Sequence, residues 1–280
     1  MPTTAIFRPR EREHHGRSRN SRRDRGHIRT DVNRIVEGYT RATAAEPDPK
    51  LAIGEGPVYN LLIDHPEGTL LWDTGSHPDA GKGHWPAAQY EAFEHYDAEE
   101  YPLDESLEGV GYGIEDVDFV LQTHLHLDHA GGLEYFAGTD VPIYVHEAEL
   151  KHAYYNAVRS GGSDAYVLAD FDHDLNWQVL HRERERHLTD IEFLHLPGHT
   201  PGVVGTLLHL DERTLLLTSD EAYVRANYEE ELPLGGELLW SKPHWQRSLR
   251  WLKDLERRHD ALVVAGHDAE DVERLRSELG

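Results

Sequence analysis

Apolar residues recur along the chain in short runs of four to eight, and runs of that length read as strands. They cover 58–63, 69–72, 117–123, 142–146, 191–196, 203–210, 214–219 and 261–265. The three residues Asp211-Glu212-Arg213 predict a hairpin between the sixth and seventh runs. Helical spacing takes over at 146–159, and again at 244–259, where Trp245, Leu249, Leu252 and Leu255 fall on one face with charges opposite. A last amphipathic stretch, 269–279, sets Val272, Leu275 and Leu279 in step. Strands come first, a helix intervenes, then strands and a helix follow, and no repeat of fixed period breaks the order. Two sheets packed together with helices outside are expected.

Residues 1–34 depart from this pattern. They hold ten Arg and four acids, few apolar residues and no periodicity, so they are read as a disordered extension before a domain at 35–280. A basic arm for nucleic acid is the other reading of that segment. The full chain carries a formal charge of −24, and the 246 residues after the extension hold nearly −30, which argues against a nucleic-acid or anionic-membrane partner. With 23 Arg against 5 Lys, the acid-rich, Lys-poor surface suits high salt, where screening relieves self-repulsion. A halophilic-like protein is expected. No run of about 18 apolar residues occurs, and no apolar stretch follows the charges of the first residues, so a cytoplasmic location is expected. Cysteine is absent, which removes disulfides, a thiol nucleophile and Cys-ligated zinc.

Any metal site must therefore use imidazole and carboxylate, and one segment puts three imidazoles and a carboxylate within six residues. Thr123-His124-Leu125-His126-Leu127-Asp128-His129-Ala130-Gly131-Gly132 directly follows a predicted strand. In extended backbone alternate side chains point the same way, so His124 and His126 can grip one ion. The turn after them swings Asp128 and His129 towards a second, and Gly131-Gly132 permit a tight exit. Three further candidates sit at strand ends: His199 in Pro197-Gly198-His199-Thr200-Pro201-Gly202, Asp220 in Thr218-Ser219-Asp220, and His267 in Ala265-Gly266-His267-Asp268. Zinc is the expected metal for such ligands, and Mn, Fe or Co are compatible with them.

These residues resemble the metallo-β-lactamase superfamily: the HxHxDH motif, the Gly-His-Thr-Pro-Gly turn, the strand-end Asp, the final Gly-His, and an early Asp73-Thr74-Gly75 turn all match, across 58–268. The resemblance implies an α/β fold, a four-layer αββα sandwich of two mixed sheets flanked by helices. It implies two divalent ions per chain. His124, His126 and His199 would hold one, Asp128, His129 and His267 the other, and Asp220 would bridge, with Asp73 behind the ligands. Within the superfamily the chain is most similar to the N-acyl-homoserine lactone lactonases, on Tyr223 three residues past Asp220 and on the stretches 111–117 and 227–233. It departs from them in its Arg-rich start and in 76–110.

The implied reaction is lactone ring opening by a metal-bridging hydroxide, since two ions about 3.5–4 Å apart bring the pKa of a shared water from 15.7 towards about 7. Tyr223 would donate to the oxyanion or hold the substrate amide, and Asp128 would carry the proton to the leaving alkoxide. The partner is a small lactone or ester, and a monomer or homodimer is expected. The rivals are a glyoxalase II-type thioesterase, which shares the HxHxDH loop, and a nuclease gripping RNA with the Arg-rich arm. The acidic body weighs against the nuclease. Trp85, Phe136, Tyr154, Tyr155 and Phe171 are candidate pocket walls that serve equally well as core.

Overall fold

The computed structural model describes residues 4–7, 26–159, 161–210 and 213–279. Its strands are β1 (Thr4–Phe7), β2 (His27–Asp31), β3 (Ile53–Pro57), β4 (Asn60–His65), β5 (Gly68–Trp72), β6 (Phe93–His95) and β7 (Phe119–Leu121). Then follow β8 (Pro142–His146), β9 (Asn176–Leu180), β10 (Arg184–Leu188), β11 (Ile191–His195), β12 (Val204–His209), β13 (Thr214–Leu217) and β14 (Leu262–Val264). They form a six-stranded sheet ordered β1-β4-β5-β7-β8-β9, a five-stranded sheet β10-β11-β12-β13-β14, and a small sheet β3-β2-β6. Both large sheets mix parallel and antiparallel pairs.

The expected strand runs all lie in the two large sheets, and their near-continuous apolar character has a simple cause: both faces of each sheet are covered. Leu61, Ile63, Leu70 and Trp72 of the first sheet meet Phe193, Val204, Leu208, Leu215 and Leu217 of the second in one buried layer. Trp72 donates its indole N–H across that layer to Thr206 Oγ1, 3.2 Å away. The outer faces use the intervening residues. Leu62, Leu71, Val120, Ile143 and Val145 pack under the helix Glu147–Val158 through Ala153. Leu207 and Leu216 pack under the helix Lys242–His259 through Trp245, Leu249, Leu252 and Leu255. The result is the expected four-layer αββα sandwich. Helix Ala269–Leu279 closes the inter-sheet layer with Val272 and Leu275.

The first domain boundary differs from the expectation. Residues 27–34, assigned above to the extension, form β2 and a helical turn, Val32–Ile35, within the folded body. Ile28 is buried in the same cluster as Trp245 and Tyr223. A strand such as His27–Asp31 shows one buried apolar side chain and charged neighbours, so backbone pairing to β3 and β6 holds it where periodicity gives no sign. β3, with two glycines in five residues, is hidden for the same reason. The strand Thr4–Phe7 runs parallel to β4 at the sheet edge. Residues 8–25, most of the Arg-rich segment, and Asp211 and Glu212 of the expected hairpin lie outside the described residues. Strands β12 and β13 on either side of that hairpin do pair antiparallel.

Candidate metal centre

The loop after β7 is tied down through its backbone groups, by its own carbonyls and by the side chains of Asp73 and Gln122. Thr123 N–H donates to Asp73 Oδ1 at 2.7 Å, the N–H groups of His129 and Ala130 both turn back onto His126 O at 3.0 Å, and Gln122 Nε2 donates to the carbonyls of His124 and His129. Gly131 has no choice of side chain here: a Cβ would lie 2.0 Å from the backbone nitrogen of His77.

This loop, the turn at 197–202, the end of β13 and the end of β14 meet at one edge of the two sheets. There they bring together all seven expected ligands, each buried. His199 Nε2 stands 3.3 Å from His124 Nε2 and 2.9 Å from His126 Nδ1. Asp220 lies between two groups: its Oδ2 is 3.9 Å from His124 Nε2 and 3.6 Å from His199 Nε2, while its Oδ1 is 3.5 Å from His129 Nε2 and 3.3 Å from His267 Nε2. Asp128 Oδ2 is 3.6 Å from His267 Nε2. Among the described residues, three sets could each hold a metal ion: His124 with His126 and His199; His124 with His129 and Asp220; and Asp128 with His129 and His267.

Four of the imidazoles have their other nitrogen engaged. His124 Nδ1 donates to Thr123 Oγ1 (3.1 Å), His129 Nδ1 to Asp73 Oδ2 (2.8 Å), His199 Nδ1 to Leu238 O (2.7 Å) and His267 Nδ1 to Pro57 O (2.9 Å). Each bond fixes the tautomer that leaves Nε2 free to face its neighbours. His129 Nε2, His267 Nε2 and Asp220 Oδ1 then remain buried with no hydrogen-bond partner among the described residues. Buried polar atoms are normally paired, and three that converge fit a cation. Asp73 and Ser219 hold left-handed backbone, φ 57° and 50°, a conformation that costs about 1 kcal/mol or more. Both are locked by Thr123, whose hydroxyl donates to Asp73 and accepts from Ser219.

Burial, with neighbouring imidazoles, holds His124 and His126 well below the ordinary histidine range, and burial also lowers His199. These three are neutral donors. Burial opposes protonation of His129 and His267 too, but the carboxylates of Asp220 and Asp128 outweigh it and raise both.

Tyr223 stacks on His267 with ring centroids 4.0 Å apart, and its buried hydroxyl has no hydrogen-bond partner among the described residues. The chain reaches this point because it turns at Ser219–Glu221 and then runs beside the last ligand, with His267 N–H donating to Tyr223 O at 2.7 Å. A cavity of about 200 Å³ opens over the site, lined by His126, Asp128, His199, Asp220 and Tyr223 at its floor and by Ile28, Phe93, Ala165 and Leu238 on its walls. Of the wall candidates named from sequence, Trp85, Phe136 and Phe171 are core, and Tyr155 is exposed. Asn227 and Tyr228, in one of the stretches carrying the lactonase resemblance, serve the scaffold: Asn227 Nδ2 donates to Ile35 O and Leu232 O, and Tyr228 OH to Glu256.

Glu221 and Glu149, buried carboxyls bonded to the ligand-bearing segments, escaped the sequence reading. Glu221 Oε2 accepts from His199 N–H at 3.1 Å, and a Cβ on Gly198 would strike this carboxylate at 2.4 Å. Glu149 accepts from Leu125 N–H, Tyr166 OH and Thr200 Oγ1. The available signal was a glutamate at i and Ala153 at i+4, on the buried face of an amphipathic helix.

The description of the metallo-beta-lactamase superfamily matches residues 53–267. Across 257 residues the chain is 31% identical to the N-acyl homoserine lactonase AiiB of Agrobacterium fabrum, covering 88% of this chain and 92% of that one. It is 32% identical over 222 residues to an N-acyl homoserine lactonase of a Bacillus species, covering 76% and 82%. Among solved structures, a Bacillus thuringiensis AiiA variant with N-decanoyl-L-homoserine bound at its active site superposes with a TM-score of 0.75 at 25% identity, covering 89% of this chain and 92% of that one.

Proposed function

The chain belongs to the metallo-beta-lactamase superfamily, and from that membership we propose that it is a metal-dependent lactonase that opens the ring of an N-acyl-homoserine lactone or a similar lactone. The observation that carries the reading is Tyr223, whose unpartnered hydroxyl shares a cavity with Asp128 and with an Asp220 carboxylate divided between two histidine groups. In this reading His124, His126 and His199 would hold one ion and Asp128, His129 and His267 another, with Asp220 placed to serve both. Zinc is the metal we assign, because imidazole and carboxylate suit it. When bound, the pair of ions supplies Lewis acidity and makes hydroxide available from water at neutral pH.

The chain's own groups do the rest. The tethered Nδ1 atoms keep four rings from turning away from the site. Tyr223, held neutral by burial and by the nearby Asp128 and Asp220, keeps its proton to donate to the carbonyl oxygen as charge grows there. The hydroxyl of water joins the acyl carbon, the ring C–O bond breaks, and Asp128 passes the proton to the departing alkoxide. A hydroxy acid results. The apolar walls Ile28, Phe93, Ala165 and Leu238 are suited to an acyl chain.

The test is a panel of lactones, glutathione thioesters and phosphodiesters offered to the metal-loaded protein, with ring opening followed by proton release. Lactones are expected to be turned over fastest. Faster hydrolysis of a thioester would move the assignment to the thioesterase branch.

A further inference from the structure

Glu149 is fully buried on the helix Glu147–Val158, behind the residues that line the cavity, and plays no part in the reaction proposed above. Its carboxylate nevertheless joins the two segments that supply one group of three histidines. Oε1 accepts the N–H of Leu125, between His124 and His126, at 3.0 Å. The same oxygen accepts Tyr166 OH at 3.1 Å, and the Tyr166 ring packs on His126 with centroids 4.6 Å apart. Oε2 accepts Thr200 Oγ1 at 2.5 Å, from the residue next to His199. The helix and the turn are pressed together so closely that a Cβ on Gly202 would lie 2.2 Å from the Glu149 nitrogen.

A buried carboxylate is costly unless its oxygens are satisfied, and here every donor comes from a ligand-bearing segment or from the ring against His126. The other histidine group is supported differently, through Asp73 and the carbonyl of Pro57, while the hydrogen bonds of Glu149 go to Leu125, Tyr166 and Thr200. We infer that Glu149 is a positioning residue, a clamp that sets His126 and His199 at the separation needed to share one metal ion. The inference rests on reading His124, His126 and His199 as ligands of a single ion.

The clamp predicts a selective defect. Glu149→Gln keeps one acceptor oxygen and loses the other, while Thr200→Val frees only the His199 arm and leaves the carboxylate in place. Groups behind metal ligands typically set affinity by about 10- to 100-fold. Titration of metal-free protein with Zn²⁺ should therefore show one site weakened by about that factor in both variants and the other within twofold of wild type. Activity should recover as Zn²⁺ is raised, with KM within twofold because Glu149 does not reach the cavity. Leu275→Ala, in the inter-sheet layer, is the control for simple destabilisation: it should lower Tm and leave both affinities unchanged. The clamp is overturned if both sites keep wild-type affinity in Glu149→Gln and Thr200→Val. It is equally overturned if both sites weaken together in step with Tm. A wild-type chain that binds two ions and opens no lactone would overturn the proposed function, and the Zn²⁺ comparison would still decide the clamp.

Discussion

Histidine side chains are put to two very different uses in this molecule. Those at the sheet edge, His124, His126, His129, His199 and His267, converge with two carboxylates, and four have one nitrogen hydrogen-bonded away from the point of convergence. His187 lies at the bulge of β10, between the sheets, ringed by Phe119, Tyr144 and Phe193 at 4.3 to 5.0 Å. Its Nε2 is also buried without a hydrogen-bond partner among the described residues. A single orphaned nitrogen among aromatic rings therefore marks an imidazole used as a packing ring. Orphaned atoms that face one another across 3.3 to 3.5 Å, with their other nitrogens tethered, mark a place for a cation.

The sharpest way to break this contrast is to remove the carboxylate common to both histidine groups. Asp220→Ala should lower metal content below two ions per chain by elemental analysis. Its loss of lactone turnover should exceed the roughly 10- to 100-fold typical of a residue one step behind a ligand. Wild-type turnover with a full metal complement would remove Asp220 from the site.

Deleting residues 1–34 comes next. It removes the central strand of the small sheet, the buried Ile28 wall of the cavity and the Arg34–Glu237 ion pair at 2.6 Å. Losing the ladder and a buried Ile costs several kcal/mol, on the order of 10 °C in Tm for a domain of this size. Activity should fall with it. A truncated protein with unchanged Tm and turnover would show that β2 contributes nothing to the site's wall.

Tyr223→Phe should be milder and more specific. The hydroxyl has no partner to lose, so Tm and metal content stay put while kcat/KM falls by about tenfold to a hundredfold, less than for an oxyanion donor acting alone. Full activity would take Tyr223 out of the reaction.

The smallest effect belongs to His187. Burial pushes its pKa down from 6.5 to about 4, so above 6.5 the ring is neutral in both folded and unfolded chains. As pH falls from 6.5 towards 4 the unfolded chain takes the proton more readily, and stability drops through that window. His187→Phe should flatten the fall in Tm between pH 6.5 and 4 and leave lactone turnover at pH 7 within twofold. Part of the slope should remain, because burial and His195 lower His146 to about 4 as well. An unchanged Tm profile would mean that the aromatic ring does not hold His187 neutral.

By itself the sequence determined the sandwich and the identity of the converging residues. Strands covered on both faces must be apolar almost throughout, which made the runs of both large sheets visible, and the faces of 244–259 and 269–279 were legible by spacing alone. Histidine and aspartate crowded after a strand, with His199, Asp220 and His267 at other strand ends, stood out because ligand chemistry constrains residue type. Tertiary structure alone decided the rest. The small sheet is held by backbone pairing and displays one buried Ile in β2, so no pattern announced it. The division of Asp220 between two histidine groups, the tethers supplied by the carbonyls of Leu238 and Pro57, and the reach of Glu149 from a helix to two loops are relations between distant segments. A backbone carbonyl leaves no mark on residue identity. A buried glutamate looks like any surface glutamate until the chain has folded around it.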